Sequence, residues 1–159
     1  MTVLAPMSAE AFADYRTLAV RGYADDNVAA GRWPAEGALA RSEADFEESL
    51  PHGLSTPDNH LFEIQDTEGG PTVGYLWFAL VEKNGLRSAF IYDLEVLPEY
   101  RRRGHAESAF RAMESIVRDL GLDRIDLHVF VQNDGAQALY RKLGYAVTGM
   151  NMRKDLDGS

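Results

Sequence analysis

Two short segments of this sequence combine residue types that can bind an anion and move a proton. The first is RRRGHA at residues 101–106, which stands directly ahead of an apolar run with helical spacing. Backbone N–H groups at a helix start have no partner within the helix, and the helix dipole favours negative charge there. The segment is compatible with an anion site, although a glycine before a helix is more often just a tight turn.

The apolar run predicts one amphipathic helix that Gly121 ends. Its members recur three or four residues apart on one face: Ala106, Ala109, Phe110, Met113, Ile116, Val117 and Leu120.

The second segment is NDGAQALYRKL at residues 133–143, a second helical pattern with Tyr140 on its apolar face. Spacing alone favours a core position for this tyrosine. Its ordinary pKa near 10 would keep the hydroxyl protonated at neutral pH, so a tyrosine that reaches a cleft can also serve as a proton donor.

Taken together, the two segments resemble the motifs of the GNAT superfamily of N-acetyltransferases. The acetyl-CoA loop of that family has the form Arg/Gln-x-x-Gly-x-Gly/Ala, which Arg101, Gly104 and Ala106 match. The later family motif, Asn-x-x-Ala-x-x-Leu-Tyr-x-x-Leu-Gly-Phe/Tyr, is matched by Asn133, Ala136, Leu139, Tyr140, Leu143, Gly144 and Tyr145. The matching region covers residues 88–155.

The resemblance implies a single α/β domain over residues 1–159, with a mixed and mostly antiparallel sheet of six to seven strands. The sheet is expected to splay between strands four and five and to be flanked by about four helices. Sequence patterns predict strands at residues 2–5, 60–65, 72–81, 88–96, 124–131 and 145–155. They also predict a first helix that begins after Ser8 and is broken at residues 24–34, and further helices at residues 35–50, 106–120 and 134–143.

The C-terminal segment is short for this fold. Only residues 145–155 remain for the final strands, so the last one is expected to be absent, fused with its neighbour or supplied by a second subunit. An uncovered strand edge is a template for pairing with another chain. We therefore expect a homodimer in which the C-terminal strand packs on its symmetry mate.

The resemblance also implies which residues hold acetyl-CoA. The backbone N–H of Val96, where the fourth strand diverges from the fifth, would polarise the thioester carbonyl. The full set of expected cofactor-binding residues is Leu94, Val96, Arg101, Arg102, Arg103, Gly104, His105, Ala106, Asn133, Ala136 and Tyr140.

For catalysis, the family motif assigns Tyr140 as the general acid that protonates the departing thiolate. His128 is a candidate base, because it precedes Asn133 by five residues, where some relatives carry a glutamate, and because its ordinary pKa suits a base. It is predicted on the strand at residues 124–131, where a partly exposed histidine more often has no catalytic role. Glu95, with Asp93 on the same strand face, is the other candidate, for binding the acceptor ammonium or relaying its proton.

The charge distribution points to a cationic acceptor, and we expect a small-molecule or peptide primary amine. Residues 1–80 hold 13 acids and 4 arginines, whereas residues 81–159 hold 12 acids and 12 bases. An acidic rim favours a cation, and the lack of a basic surface argues against nucleic acid. Candidate acceptor or lid residues in the acidic half are Asp25, Asp26, Trp33, His52 and His60.

Composition narrows the chemistry further. There is no cysteine, so thiolate metal sites and a cysteine nucleophile are excluded, and no metal is expected. No apolar run approaches the roughly 20 residues of a membrane span, and no signal-peptide pattern opens the chain, so a cytoplasmic location without membrane contact is expected. Two alternatives to acetylation of an amine remain open. The protein could transfer a different acyl group from its acyl-CoA or acylate a hydroxyl, or it could be a non-catalytic regulator that binds acyl-CoA.

Overall fold

The computed structural model describes residues 2–157 and places five strands side by side in the order in which they occur in the chain. The first four strands are antiparallel, and the fifth is parallel to the fourth. The elements are β1 (Val3–Pro6), α1 (Ala9–Ala29), α2 (Ala38–Ser49), β2 (Asn59–Gln65), β3 (Thr72–Lys83), β4 (Leu86–Val96), α3 (His105–Asp119), β5 (Ile125–Leu127) and α4 (Asp134–Lys142).

The sheet separates two hydrophobic cores. On one face α3 and α4 pack over a cluster that includes Leu76, Phe78 and Phe110. On the other face α1 and α2 pack over a cluster that includes Tyr15, Phe46 and Trp77. Because neighbouring side chains of a strand point to opposite faces, β3 supplies both cores at once.

Several local predictions are confirmed. The Ser8 hydroxyl accepts a hydrogen bond from the Ala11 N–H at 3.1 Å and caps α1. Asn84 and Gly85 have φ of 54° and 80° and form the tight turn between β3 and β4. The prediction of about four helices is also confirmed.

The predicted break at residues 24–34 is wrong in its position, since α1 continues to Ala29. Asn27 is fully buried and donates from Nδ2 to the Tyr23 carbonyl at 2.8 Å. Burial and this bond outweigh the low helix propensity of the Asp-Asp-Asn run at residues 25–27. Gly31 follows the C-cap residue Ala30, and its φ of 73° suits glycine.

The prediction of six to seven strands is wrong, because the described part of the chain forms five. Residues 145–157 form no strand. The Arg153 guanidinium instead donates to the carbonyls of Gly31 at 3.2 Å and Ala30 at 3.4 Å. These bonds hold the C-terminal segment against the loop after α1, away from the ladder positions that a strand on the free edge of β5 would need.

The expected splay between β4 and β5 is present. Their pairing ends at Ile91 and Leu127. A bulge in β4 at Tyr92 follows at once, opposite the Trp77–Phe78 step of β3, and the Tyr92 ring stacks on Trp77 with centroids 4.5 Å apart. Residues 92–96 of β4 therefore leave β5 and open a gap in the sheet. Within residues 2–157, no helix combines the length and apolar character of a membrane span.

Candidate active site

A cleft of about 580 Å³ lies where β4 and β5 diverge. Its walls are the end of β4, the loop that follows, the first turn of α3 and one face of α4. The lining residues are Leu94, Glu95, Val96, Tyr100, Arg101, Arg102, Gly104, His105, Ala106, Glu107, Phe110, Asn133, Gly135, Ala136, Leu139 and Tyr140. The cleft thus brings together nearly all of the predicted cofactor residues, from two segments about 30 residues apart.

The turn that enters α3 leaves the helix start open. Arg102 and Gly104 have φ of 63° and 83°, in the left-handed region, and a Cβ added at Gly104 would meet no atom within 4 Å. The His105 ring is buried and lies 3.1 Å from the Thr2 hydroxyl through Nδ1. His105 therefore offers its backbone N–H to the cleft, among the unpartnered N–H groups of the first helical turn.

The side chain of Arg101 ties this turn to the end of β4. Its Nε donates to the Val96 carbonyl at 2.9 Å, and its Nη2 donates to Glu95 Oε1 at 2.9 Å. Burial raises the pKa of Glu95, and the Arg101 cation partly offsets that rise. The Glu95 carboxylate is therefore already engaged by a cation.

Gly74 of β3 allows the close approach of β3 to the end of β4. A Cβ at this position would collide with the Glu95 carbonyl and would lie 3.1 Å from Val96 Cα. Sequence reasoning missed this residue. The available signal was a glycine inside a strand, which is typical of close backbone approach.

Helix α4 presents Tyr140 to the cleft from a fixed position. The Asn133 Oδ1 caps the helix by accepting from the Ala136 N–H at 3.3 Å. The Tyr140 ring is partly buried against Phe110 and Tyr145, with centroid distances of 5.5 and 5.9 Å. Burial first, and then the Asp93 charge, raise the pKa of the Tyr140 phenol. The hydroxyl consequently stays protonated at neutral pH.

A partly buried carboxylate, Asp93, stands where the sheet opens. Tyr15 of α1 donates its hydroxyl to Asp93 Oδ2 at 2.8 Å. The pKa of Asp93 is raised to about 7, chiefly by burial. The hydrogen bond from Tyr15 lowers this pKa, whereas the negative charges of Glu95 and Asp26 raise it further. Sequence reasoning placed Asp93 among the candidates but missed Tyr15, which is 78 residues away. No local pattern links the two.

The comparisons with known proteins agree with this geometry. The model of the acetyltransferase (GNAT) family matches residues 25–145. The chain belongs to the GNAT family of acetyltransferases. Among curated relatives, the N-acetyltransferase YycN of Bacillus subtilis is 37% identical over 98% of this chain and 100% of its own length. A second N-acetyltransferase of that organism, YdgE, is 33% identical over 96% of this chain and 97% of its own length.

Solved structures show the same fold. A crystal structure of YycN superposes with a TM-score of 0.93 at 36% identity, covering 98% of this chain and 99% of that one. The structure of AAC(6')-Iy in complex with the bisubstrate analog CoA-S-monomethyl-acetylneamine has a TM-score of 0.64 at 17% identity, covering 99% of both chains. At that identity the second likeness concerns the fold alone.

Three residues predicted to bind cofactor or to relay the acceptor's proton lie outside the cleft lining of this GNAT domain: Asp93, Arg103 and His128. The Arg103 guanidinium lies over the Tyr100 ring, 5.7 Å from its centroid. His128 was predicted on the fifth strand, which is wrong, because β5 ends at Leu127. Its exposed ring packs edge-on against Phe130, with centroids 4.9 Å apart. Desolvation and the nearby Arg32 cation lower the pKa of His128.

The candidate acceptor residues are dispersed. The Asp26 carbonyl accepts from Gln132 Nε2 at 3.3 Å, so the end of α1 meets the loop before α4. Trp33 packs edge-on against Tyr23 in the loop after α1. His60 stacks on Phe78 at 5.0 Å and thus lies on the α3 face of the sheet. Of the five candidates, Asp26 is the one whose charge acts on the Asp93 and Glu95 carboxylates.

Proposed function

We propose that this protein transfers the acetyl group of acetyl-CoA directly to a primary amine while both substrates are bound. The observation that carries this proposal is the single cleft that joins the Arg101–Ala106 turn, the splayed end of β4 and Tyr140. An anion-binding helix start, an opening in a sheet and a protonated tyrosine are together what acetyl transfer from a CoA thioester requires.

The diphosphate of the cosubstrate would bind over the first turn of α3. Unpartnered backbone N–H groups at a helix start and the positive end of its dipole attract phosphate. The open space above Gly104 admits the approach, and the exposed guanidinium groups of Arg102 and Arg103 add positive charge. The pantetheine arm would enter between β4 and β5, with the thioester carbonyl near the Val96 N–H.

The chemistry at the thioester needs one acid and one base. We assign Tyr140 as the acid that protonates the thiolate as the C–S bond breaks, because its phenol stays protonated in this partly buried position. His128 and Glu95 are the candidate bases suggested by sequence. Neither is well placed, since His128 lies outside the cleft lining and Glu95 is paired with Arg101.

The acceptor is proposed to be cationic before it reacts. Carboxylates of Asp93, Glu95 and Asp26 influence one another near the opening of the sheet, and a protonated amine would relieve their mutual repulsion. The AAC(6')-Iy complex shows that this fold can accommodate a CoA adduct of an amine-bearing compound. The identity of the amine is a matter for experiment.

A screen of acyl-CoAs against acceptors tests the function. The protein is incubated with acetyl-, propionyl- or succinyl-CoA and a panel of polyamines, amino acids, peptides, aminoglycosides and matched alcohols, and free CoA thiol is measured. The proposal predicts the fastest release with acetyl-CoA and an amine. Faster turnover with a longer acyl-CoA or with an alcohol would favour another acyltransferase, and tight CoA binding without turnover would favour a regulator.

We further propose that the protein acts as a homodimer. The free edge of β5 borders a groove of about 450 Å³ lined in part by Leu122, Ile125 and Tyr145. The C-terminal segment also exposes apolar side chains that a second copy could cover: Val147, Met150, Met152 and Leu156. A free strand edge and exposed apolar side chains are both typical of an interface between chains.

A further inference from the structure

The wall of the cleft includes a glutamate in the first turn of α3. Gly104 is the N-cap of this helix, so Glu107 occupies its third position, and Glu107 lines the cleft. A glutamate at the third position commonly accepts a hydrogen bond from the backbone N–H of the N-cap residue, and the helix dipole favours its charge there. Such a bond would occupy one of the N–H groups on which a bound diphosphate depends. The Glu107 carboxylate is therefore a potential competitor for the proposed diphosphate site.

Two cations engage this carboxylate instead. Lys142, the last residue of α4, lies with Nζ 2.8 Å from Glu107 Oε1. Arg111, one turn further along α3, donates from Nη2 to Glu107 Oε2 at 3.2 Å. Within the described part of the chain, no side chain caps the start of α3. The backbone N–H groups at this helix start consequently remain available to a ligand.

The two cations contribute differently. Arg111 belongs to the same helix as Glu107, and exposed pairs four residues apart are weak in water. Lys142 comes from a second helix, next to the place where the rings of Phe110 and Tyr140 pack with centroids 5.5 Å apart. This packing fixes the spacing of α3 and α4 and brings Lys142 within reach of Glu107. The bond from Lys142 therefore depends on how the two helices are docked.

The charges of the cleft lining follow one pattern. Two acidic residues line the cleft, Glu95 and Glu107, and each is paired with a cation, Glu95 with Arg101 at 2.9 Å and Glu107 with Lys142. Hydrogen bonds from Lys142 and then from Arg111 hold the pKa of Glu107 below its ordinary value, so this carboxylate is ionised at neutral pH. An unpaired carboxylate within a few ångströms of a diphosphate would repel it.

We propose that Lys142 is a positioning residue for cosubstrate binding, which holds the Glu107 carboxylate away from the start of α3 so that the backbone N–H groups there can bind the diphosphate of acetyl-CoA. The proposal rests on the proposed function, because it concerns the site of the cosubstrate. Lys142 acts through Glu107 and does not itself contact the cosubstrate. Through this ion pair, α4, which carries Tyr140, also influences the anion site on α3.

The two members of the ion pair should have opposite effects when they are replaced. Without Lys142, the Glu107 carboxylate can turn back toward the Gly104 N–H, where it would compete with the diphosphate and repel it. Without the Glu107 charge, no competitor remains, and Lys142 has no further task in binding. A pair that merely braced α4 against α3 would instead give the same loss whichever partner is replaced.

Calorimetric titration with CoA at one ionic strength tests this difference. Lys142→Met should weaken CoA binding by about three- to tenfold, because the freed carboxylate opposes the diphosphate. Lys142→Arg, which can keep the ion pair, should retain the wild-type affinity, and Glu107→Gln should bind CoA at least as tightly as the wild type. In the Glu107→Gln background, Lys142→Met should change the affinity by less than about twofold, because its effect passes through Glu107.

Two controls separate this effect from a general loss of charge and from other phosphates. Arg141→Met removes a neighbouring cation of α4 whose Nη2 lies 3.5 Å from Gln137 Oε1 on the same helix, and it should change the affinity by less than about twofold. Dephospho-CoA keeps the diphosphate but lacks the 3′-phosphate. Lys142→Met should weaken its binding by the same factor as that of CoA.

Several results would overturn the role of Lys142 and leave the proposed function intact. These are a wild-type affinity in Lys142→Met, an equal loss in the wild-type and Glu107→Gln backgrounds, and a loss for CoA that dephospho-CoA does not show. A loss in Glu107→Gln as large as that in Lys142→Met would reduce the ion pair to a structural brace. A folded wild-type protein that binds neither CoA nor dephospho-CoA would refute the proposed function itself. Circular dichroism confirms that each variant is folded.

Discussion

At the scale of single residues, the partly buried carboxylate of Asp93 makes the stability of the fold depend on pH. Its pKa is raised to about 7 in the folded protein, above its value in the unfolded chain. Between about pH 4 and pH 7 the folded state therefore binds more protons, and stability falls as pH rises through that range.

Asp93→Asn should remove this dependence. Its free energy of unfolding, relative to that of the wild type, should increase between pH 4 and pH 8 by roughly 2–4 kcal/mol. Urea denaturation at pH 4, 6 and 8 measures the difference, with Asp123→Asn at an exposed position as the control for loss of one charge. A difference that stays constant with pH would show that the pKa of Asp93 is the same in the folded and unfolded protein.

Substitution of two tyrosines in one aromatic cluster tests the assignment of Tyr140 as the general acid. Tyr140→Phe should lower kcat by about 10²–10⁴-fold, because the thiolate loses its proton donor, while CoA affinity is kept. Tyr145→Phe is the matched control, since the Tyr145 ring lies 5.9 Å from Tyr140 and its buried hydroxyl has no partner in the described part of the chain. Full kcat in Tyr140→Phe would reassign that residue to packing.

At the scale of elements, the start of α3 is the feature on which cosubstrate binding depends. Gly104→Val should weaken CoA binding at least tenfold, because a branched side chain would fill the open space where the diphosphate is proposed to lie. Gly121→Val is the matched control: Gly121 follows the same helix, has φ of 84° against 83° for Gly104, and also has open space around it. Calorimetric titration with CoA measures both.

Comparing these two variants separates the effect of backbone strain on stability from an effect on CoA binding. Both place a β-branched residue in the left-handed region and should destabilise the fold to a similar degree. A folded Gly104→Val protein that binds CoA as tightly as Gly121→Val does would contradict the diphosphate site.

The elements also show which features can be predicted from sequence. The turn at Asn84 and Gly85, the cap at Ser8 and the glycine before α3 depend on a few adjacent residues, and they are where the sequence predicts them. The continuation of α1 through Asn27 depends on burial by distant elements, and local propensity therefore gave the wrong boundary.

In the candidate site, too, residues of local motifs can be predicted from sequence, whereas contacts between distant residues cannot. The cleft residues at 101–106 and 133–140 belong to two local motifs, and the cleft brings them together. The Tyr15–Asp93 bond joins residues 78 positions apart, and the close approach at Gly74 depends on the pairing of β3 with β4. Such contacts are set by strand register and by the docking of a helix, which no short sequence pattern encodes.

At the scale of the whole molecule, the free edge of β5 leads us to predict a dimer. The C-terminal segment leaves Met150, Met152 and Leu156 more than 70% exposed, and covering them against a second copy would stabilise a two-fold assembly. Truncation after Gly149 should convert the dimer into a monomer, as measured by light scattering at micromolar concentration.

The control for this truncation keeps the apolar side chains. Arg153→Ala removes the bonds to the carbonyls of Ala30 and Gly31 and should leave the dimer intact. A wild-type protein that is monomeric at micromolar concentration, or a truncated protein that remains dimeric, would contradict the proposed interface.

The central claim, direct acetyl transfer to an amine, is tested most directly by following a labelled acetyl group. The protein is incubated with acetyl-CoA carrying ¹³C in the acetyl group and with the best amine of the screen, and mass spectrometry examines both the amine and the protein. We predict one labelled acetyl group on the acceptor nitrogen for each CoA released, and no labelled protein at any time. Labelled protein that precedes the product, or CoA binding without any acetylated amine, would contradict the account.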